Sequence, residues 1–230
     1  LTSDLNELQR LLKSGLDLQL KGSFSVGGSI KALQEPASIN LVLRAEALPL
    51  AKALEEVYGT PYLAISPYGY AGCLEMLEQI ASRLGIEVKT SFAKELKTKQ
   101  RQLRALGRGP RLRPRRHVLA IAAPEHVRCG IHKMGSAVNA EMIDLPGPAV
   151  DEAKRIKAAS EVQDALVYGD AQTLDLVDDT NQKVLVAFPK QNYPQFATHL
   201  PIMGERGMDR FVEHWLYYKM RPRQEMASQV

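Results

Sequence analysis

Leu5, Leu8, Leu11 and Leu12 recur at helical spacing behind the cap candidates Thr2, Ser3 and Asp4, and Gly15 is expected to stop that helix. A weak strand is expected near residues 16–24, then a Val26-Gly27-Gly28-Ser29 turn, a short helix over 30–34 and an apolar strand over 38–43. Residues 48–58 form a clear amphipathic pattern, with Leu50, Leu54 and Tyr58 on one face and Gly59 at its end. Residues 62–65 predict a buried strand, and 71–84 a helix ended by Gly85. After residue 115 the alternation restarts. Strands are expected at 118–122, 140–145, 165–168 and 184–188, with helices at 124–134, 150–159, 171–177 and 207–219 between and after them.

Short apolar strands separated by helices imply βαβ units. The expected fold is α/β, with two Rossmann-like units of mostly parallel sheet and flanking helices. The expected organisation is a first α/β domain over 1–88, a basic helix and linker over 89–116, and a second α/β domain over 117–230. Within the middle segment, 91–106 can be helical, whereas Gly107-Arg-Gly-Pro-Arg-Leu-Arg-Pro-Arg-Arg116 is broken by Gly and Pro and reads as an exposed linker. A weak internal echo links Ser66-Pro67-Tyr68-Gly69-Tyr70-Ala71-Gly72 with Leu200-Pro201-Ile202-Met203-Gly204-Glu205-Arg206-Gly207; each stretch opens a helix.

The 230 residues are 45% hydrophobic, 24% charged and 6% aromatic, which excludes disordered, collagen-like and coiled-coil chains. No run is long and apolar enough for a membrane span, and the N-terminus lacks a signal-peptide layout. It also lacks Met, so a processed chain or a fragment is expected. Two cysteines, Cys73 and Cys129, make no disulfide framework, and a cytoplasmic location is expected. Charge changes the picture only locally. Segment 89–116 holds eleven of the 30 Lys and Arg and one of the 26 acids, leaving 19 cations against 25 acids elsewhere. That segment could meet phosphates or an acidic protein; with Phe92 its one aromatic, base stacking is barely provided for and nucleic acid is disfavoured.

Candidate chemistry is sparse. The Gly27-Gly28-Ser29 turn could hold an anion at a helix N-terminus or be a turn capped by Ser29. No nucleotide fingerprint and no nucleophile elbow occurs, which argues against a dehydrogenase, an ATPase or Ser-His-Asp catalysis. Cys73 is expected one residue into a helix, where the dipole favours a thiolate. His126, Cys129 and His132 share a helix face at i, i+3 and i+6, but tetrahedral zinc and iron–sulfur clusters want more ligands, so no metal site is assigned. Asp178 and Asp179 read as loop residues.

Read end to end, the motifs resemble the nitrogenase component 1 superfamily, which includes molybdenum–iron protein subunits, cofactor-assembly scaffolds and related tetrapyrrole reductases. The resemblance rests on Ser3-Asp-Leu-Asn-Glu-Leu-Gln-Arg-Leu-Leu12, Gly27-Gly28-Ser29-Ile30 and Ser38-Ile-Asn-Leu-Val-Leu43. Leu50-Ala-Lys-Ala-Leu-Glu-Glu-Val-Tyr-Gly-Thr-Pro-Tyr62 is the most specific piece, and Pro67-Tyr68-Gly69 with residues 77–84 follows it. Ala122-Ala-Pro-Glu-His126, Leu166-Val-Tyr-Gly-Asp170 and the stretch from Leu200 to Gly207 resemble it more faintly.

The resemblance implies α/β domains around a metal-cluster site, paired subunits, and an ATP-dependent iron–sulfur protein as electron donor. Only the central and C-terminal domains of the family have a counterpart. Where catalytic subunits carry a cofactor-binding Cys, this chain has Leu43 or Arg44; where they carry a His, it has Met203. The expected role is thus an oxidoreductase subunit or fragment, an electron-accepting reductase or metal-cofactor scaffold of the kind found in nitrogen fixation, lacking the family's ligands. An iron–sulfur cluster would belong only to the assembled complex, and the partner would be another component 1-like subunit in a homo- or hetero-oligomer. The alternative is a non-catalytic module docking RNA or an acidic protein through 89–116. The expected cleft residues lie at strand ends and turns: Gly27, Gly28, Arg44, Pro67, Tyr68, Gly69, Met203 and Gly204.

Overall fold

A computed structural model of the protein describes residues 2–24, 37–106, 118–147, 150–186 and 201–220. The expected turn and helix over 26–34, with Gly27 and Gly28, and the linker over 107–116 lie outside the described residues. By contacts the chain forms two compact units, neither a continuous stretch. The first combines residues 1–102 with 197–208; the second combines 103–196 with 209–230.

The first unit opens with α1 (Thr2–Leu16) and carries a two-stranded parallel sheet of β1 (Asn40–Val42) and β2 (Tyr62–Ala64), with Asn40 opposite Tyr62. A single 3-10 turn, Ala45–Ala47, leads from β1 into α2 (Leu48–Tyr58), and Gly59 caps α2 at φ 68°. That left-handed geometry is cheap only for glycine. After β2 come α3 (Gly69–Leu84), capped by Gly85 at φ 66°, and α4 (Thr90–Leu106). Leu8, Leu11 and Leu12 of α1, Met76, Leu77 and Ile80 of α3, and Leu96 of α4 are all buried, as their helical spacing requires.

Two expectations for this region need correction. Gly15 does not stop α1; the helix runs on to Leu16 with Gly15 inside it, packed so closely on α3 that a side chain there would meet Leu77 Cδ1 at 2.7 Å. The stop falls at Asp17, which takes φ 59° and donates its N–H to the Lys13 carbonyl. No strand follows over residues 17–24, although their alternating leucines read as one.

The second unit holds β3 (Val118–Ala122), α5 (Glu125–Ala137), β4 (Glu141–Asp144), α6 (Glu152–Ser160), β5 (Leu166–Gly169), α7 (Ala171–Leu176) and β6 (Gln182–Leu185). Its four strands are all parallel in the order β4-β3-β5-β6. The final helix, α8, spans Gly204–Met220 and so begins earlier than the expected residue 207. Successive side chains of β3 and β5 serve opposite faces of the sheet. Ala120, Ala122 and Val167 join Ala159, Val162 and Leu174 from the α6–α7 side. Leu119 instead abuts Gly135 of α5, and the Tyr168 ring stacks on Phe211 of α8 at 5.8 Å. Burial on both faces explains why these strands read as continuous apolar runs.

Candidate functional site

The site grows from the carboxyl ends of β1 and β2. The Ile65 N–H donates to the Val42 carbonyl at 2.9 Å, extending the pairing one residue past the strands. Beyond it the chain turns through Ser66-Pro67-Tyr68, where the Tyr68 N–H donates to the Ser66 carbonyl at 2.9 Å. Gly69 then takes φ 73° and opens α3. Three residues on, a side chain at Gly72 would stand 2.9 Å from the Ser66 carbonyl oxygen, so glycine is needed for the turn to fold back on the helix.

The second motif of the internal echo lies against the first. Gly204 donates its N–H to the Pro67 carbonyl at 2.7 Å and forms a parallel bridge with Tyr68. It takes φ 83°, and an added Cβ would stand 2.3 Å from Glu7 Cγ. Two constraints therefore meet at one glycine. The structure thus brings together, within the first unit, the expected residues Pro67, Tyr68, Gly69, Met203 and Gly204; all five are buried. Arg44, exposed just past β1, acts on Tyr68 electrostatically. Burial, and then Asp4, push the Tyr68 phenol above its usual range, while Arg44 pulls it the other way. Tyr68 is therefore a neutral hydroxyl near a fixed guanidinium.

An ionic network that no motif along the chain announces anchors this pair of turns. Asp4 Oδ1 accepts from the Ile202 N–H at 2.8 Å and from the Met203 N–H at 3.4 Å, and Glu7 Oε1 accepts from the Arg206 N–H at 3.1 Å. Carboxylates of α1 thus satisfy the donors at the start of α8. Glu7 and Glu205 are only 2% and 4% exposed. Arg10 grips Glu7 with Nε at 2.9 Å and Nη2 at 2.8 Å, and reaches Glu205 with Nη2 at 2.6 Å. Lys99 Nζ closes on Glu205 at 2.6 Å, and Arg206 Nε stands 3.7 Å from Glu7. Burial pushes the Glu205 carboxyl up, but hydrogen bonds from Lys99 and Arg10 outweigh it and hold it below the usual range. Hydrogen bonding to Glu7 keeps the Arg10 guanidinium firmly protonated. One signal was legible: Glu7 shares a helix face with the buried Leu11 at i+4, so a carboxylate on the apolar side of α1 calls for a cation.

The metal candidates separate. Cys73 is the fifth residue of α3 rather than one residue into a helix; it is fully buried, with its Sγ 3.8 Å from the Pro67 carbonyl oxygen. In the second unit, Cys129 donates to Glu125 Oε1 at 3.1 Å, and this bond with burial pushes the thiol up, away from the thiolate a metal wants. His132 Nε2 meets Asp144 Oδ1 at 2.7 Å, so Cys129 and His132 of the His126–Cys129–His132 stripe have separate carboxylate partners. Among the described residues, no three His, Cys, Asp or Glu side chains converge as metal ligands. Among the described residues at these turns, Arg44 and Met203 offer neither thiolate nor imidazole, a donor set that does not fit an iron cluster.

The sequence profile of the nitrogenase component 1 type oxidoreductases matches residues 1–216. Among curated proteins, a light-independent protochlorophyllide reductase subunit from Zygnema circumcarinatum is 38% identical over 84 residues, 35% of this chain and 16% of that protein. Its counterpart from Nostoc punctiforme is 35% identical over 91 residues, 37% of this chain and 18% of that protein. The chain therefore spans less than a fifth of these relatives. Two solved nitrogenase Cp1 structures share the fold. One, at pH 5, has a TM-score of 0.62 at 14% identity, covering 95% of this chain and 54% of that one. The other, at pH 6.5, has a TM-score of 0.63 at 16% identity, covering 94% and 57%.

Proposed function

Since the chain belongs to the nitrogenase component 1 type oxidoreductase family, we propose that it acts as a ligand-free subunit of a multi-subunit reductase or metal-cofactor scaffold. Its partner in this reading is another component 1-like subunit, and its electrons come from an ATP-dependent iron–sulfur protein. The observation that carries the reading is the composition of the cleft. The carboxyl ends of two parallel strands present a buried neutral phenol, Tyr68, and an exposed guanidinium, Arg44, where the resemblance would put a cysteine ligand at position 43 or 44. Strand carboxyl ends are where open α/β sheets take ligands. A cation beside a hydroxyl suits an anionic substrate or cofactor edge, because the guanidinium binds carboxylates in two-point fashion. Any cluster in the assembly would then take its ligands from the partner.

The test is anaerobic purification, reconstitution with ferrous iron and sulfide, and measurement of bound iron and acid-labile sulfide. The isolated chain is expected to hold far less than one cluster's worth of iron. Stoichiometric iron that disappears in a Cys73→Ala or Cys129→Ala variant would overturn the ligand-free reading.

A further inference from the structure

At the carboxyl ends of β1 and β2, two polar groups stand without a partner among the described residues. Tyr68 is only 7% exposed, yet its hydroxyl makes no hydrogen bond there. Arg44 precedes the 3-10 turn after β1, and no carboxylate pairs with its guanidinium, its exposed neighbour Glu46 included. Elsewhere in the first unit charges find one another: Lys99 reaches Glu205, and Lys13 reaches Asp17. An unmade bond at a buried donor is costly, and such exceptions call for something that completes them. A third group is fixed close by. Asp4 Oδ1 holds the Ile202 and Met203 N–H groups, and the next residue, Gly204, bridges to Tyr68. Asp4 and Arg44 act on the Tyr68 hydroxyl with opposite sign.

We propose, on the reading that this cleft takes an anionic substrate or cofactor edge, that the anion is a monocarboxylate and that Asp4 is the residue that sets this choice. A carboxylate offers two oxygens in one plane, one for the guanidinium and one for the phenol. Tyr68 supplies a donor that carries no charge. Arg44 therefore neutralises one ligand charge, and Asp4 opposes a second. A phosphate monoester brings two charges to a single cation and meets Asp4 as well. An uncharged amide leaves the Arg44 charge unanswered.

The experiment is a nuclear magnetic resonance titration of the isotope-labelled full chain, following the Gly69 and Gly204 amides and the Arg44 Nε–H. The probes are propionate, propionamide and methyl phosphate at about pH 7.5, where a phosphate ester has lost its second proton and is a dianion. Propionate is expected to shift these signals saturably, with a Kd on the order of millimolar. Methyl phosphate should bind at least about fivefold more weakly, and propionamide should leave the signals in place. Arg44→Met should weaken propionate about tenfold or more, and Tyr68→Phe roughly threefold to tenfold, as expected for a charge-assisted and a hydroxyl hydrogen bond. Asp4→Asn keeps an oxygen for the Ile202 N–H and should bring methyl phosphate level with propionate. Circular dichroism checks that each variant is folded; if Asp4→Asn or Tyr68→Phe does not fold, the three probes on wild type and Arg44→Met decide. The proposal is overturned if propionate gives no saturable shift, if methyl phosphate binds wild type as tightly, or if Arg44→Met changes nothing. An unaltered preference in a folded Asp4→Asn variant would overturn it too. None of these results touches the ligand-free subunit role, which bound iron decides.

Discussion

Replacing Arg10 with Met tests whether the buried network holds the two turns together. Arg10 makes three charge-assisted contacts of 2.6–2.9 Å to Glu7 and Glu205. Methionine keeps the aliphatic stem and removes the cation, stranding part of the charge on two nearly inaccessible carboxylates. Breaking a buried pair from one side costs about 3–5 kcal/mol. Here the lower end applies. Lys99 still holds Glu205, and the Arg206 N–H still reaches Glu7. The Arg10 side chain is also 25% exposed, so water replaces part of what is lost. A loss of about 3 kcal/mol is expected at pH 7, roughly a hundredfold in the unfolding equilibrium. The pH dependence separates charge from packing. In wild type the Glu205 carboxyl titrates below its ordinary range, so its stabilisation is full above the unfolded-state value and fades as pH falls through the folded value. In the variant, Glu205 keeps only Lys99 against the upward push of burial, so protonation relieves it. The penalty should shrink steadily from pH 7 toward pH 4. Urea unfolding at several pH values, with amide exchange at Gly204 as the local probe, measures both effects. A loss below about 1 kcal/mol, or one that does not change with pH, would refute the claim that buried charge pairing anchors the turns.

Gly204→Ala should be more damaging than an ordinary surface change, at about 2–4 kcal/mol in urea unfolding, because its φ of 83° disfavours a side chain and the new Cβ lands 2.3 Å from Glu7 Cγ. Exchange protection of the Gly204 amide, which bonds the Pro67 carbonyl, should fall with it. In the second unit, burial and then Arg210 push His214 down to about 4. The unfolded chain therefore takes up a proton near pH 6.5 that the folded chain refuses, and stability should decline between pH 6.5 and pH 4 by on the order of 2–3 kcal/mol. His214→Gln should flatten that slope, while an unchanged slope would show that the imidazole is not shielded as described.

Local chemistry made much of the architecture readable. The helix over Leu48–Tyr58 and the strand over Val118–Ala122 lie where periodicity and flanking glycines put them, because spacing and left-handed caps are properties of the neighbouring residues alone. The family was readable for a similar reason: its motifs are short runs whose turns need particular residues. Legibility stopped where the deciding contact lay elsewhere in the chain. Gly15 reads as a helix stop until Leu77 is seen to need its missing side chain, and residues 17–24 read as a strand until the chain is seen to turn at Asp17. Arg10 and Glu205 stand 195 positions apart, and nothing in either stretch names the other. Sequence alone thus determined most of the described helices and strands and the concentration of basic charge between 89 and 116. Only the tertiary structure decided that Tyr68 and Gly204 meet and that α1 carboxylates hold the start of α8. It also turned Lys99 inward while its helix neighbours face solvent. Burying a carboxylate is tolerable only with a cation brought against it, and which cation arrives is a matter of packing rather than of order along the chain.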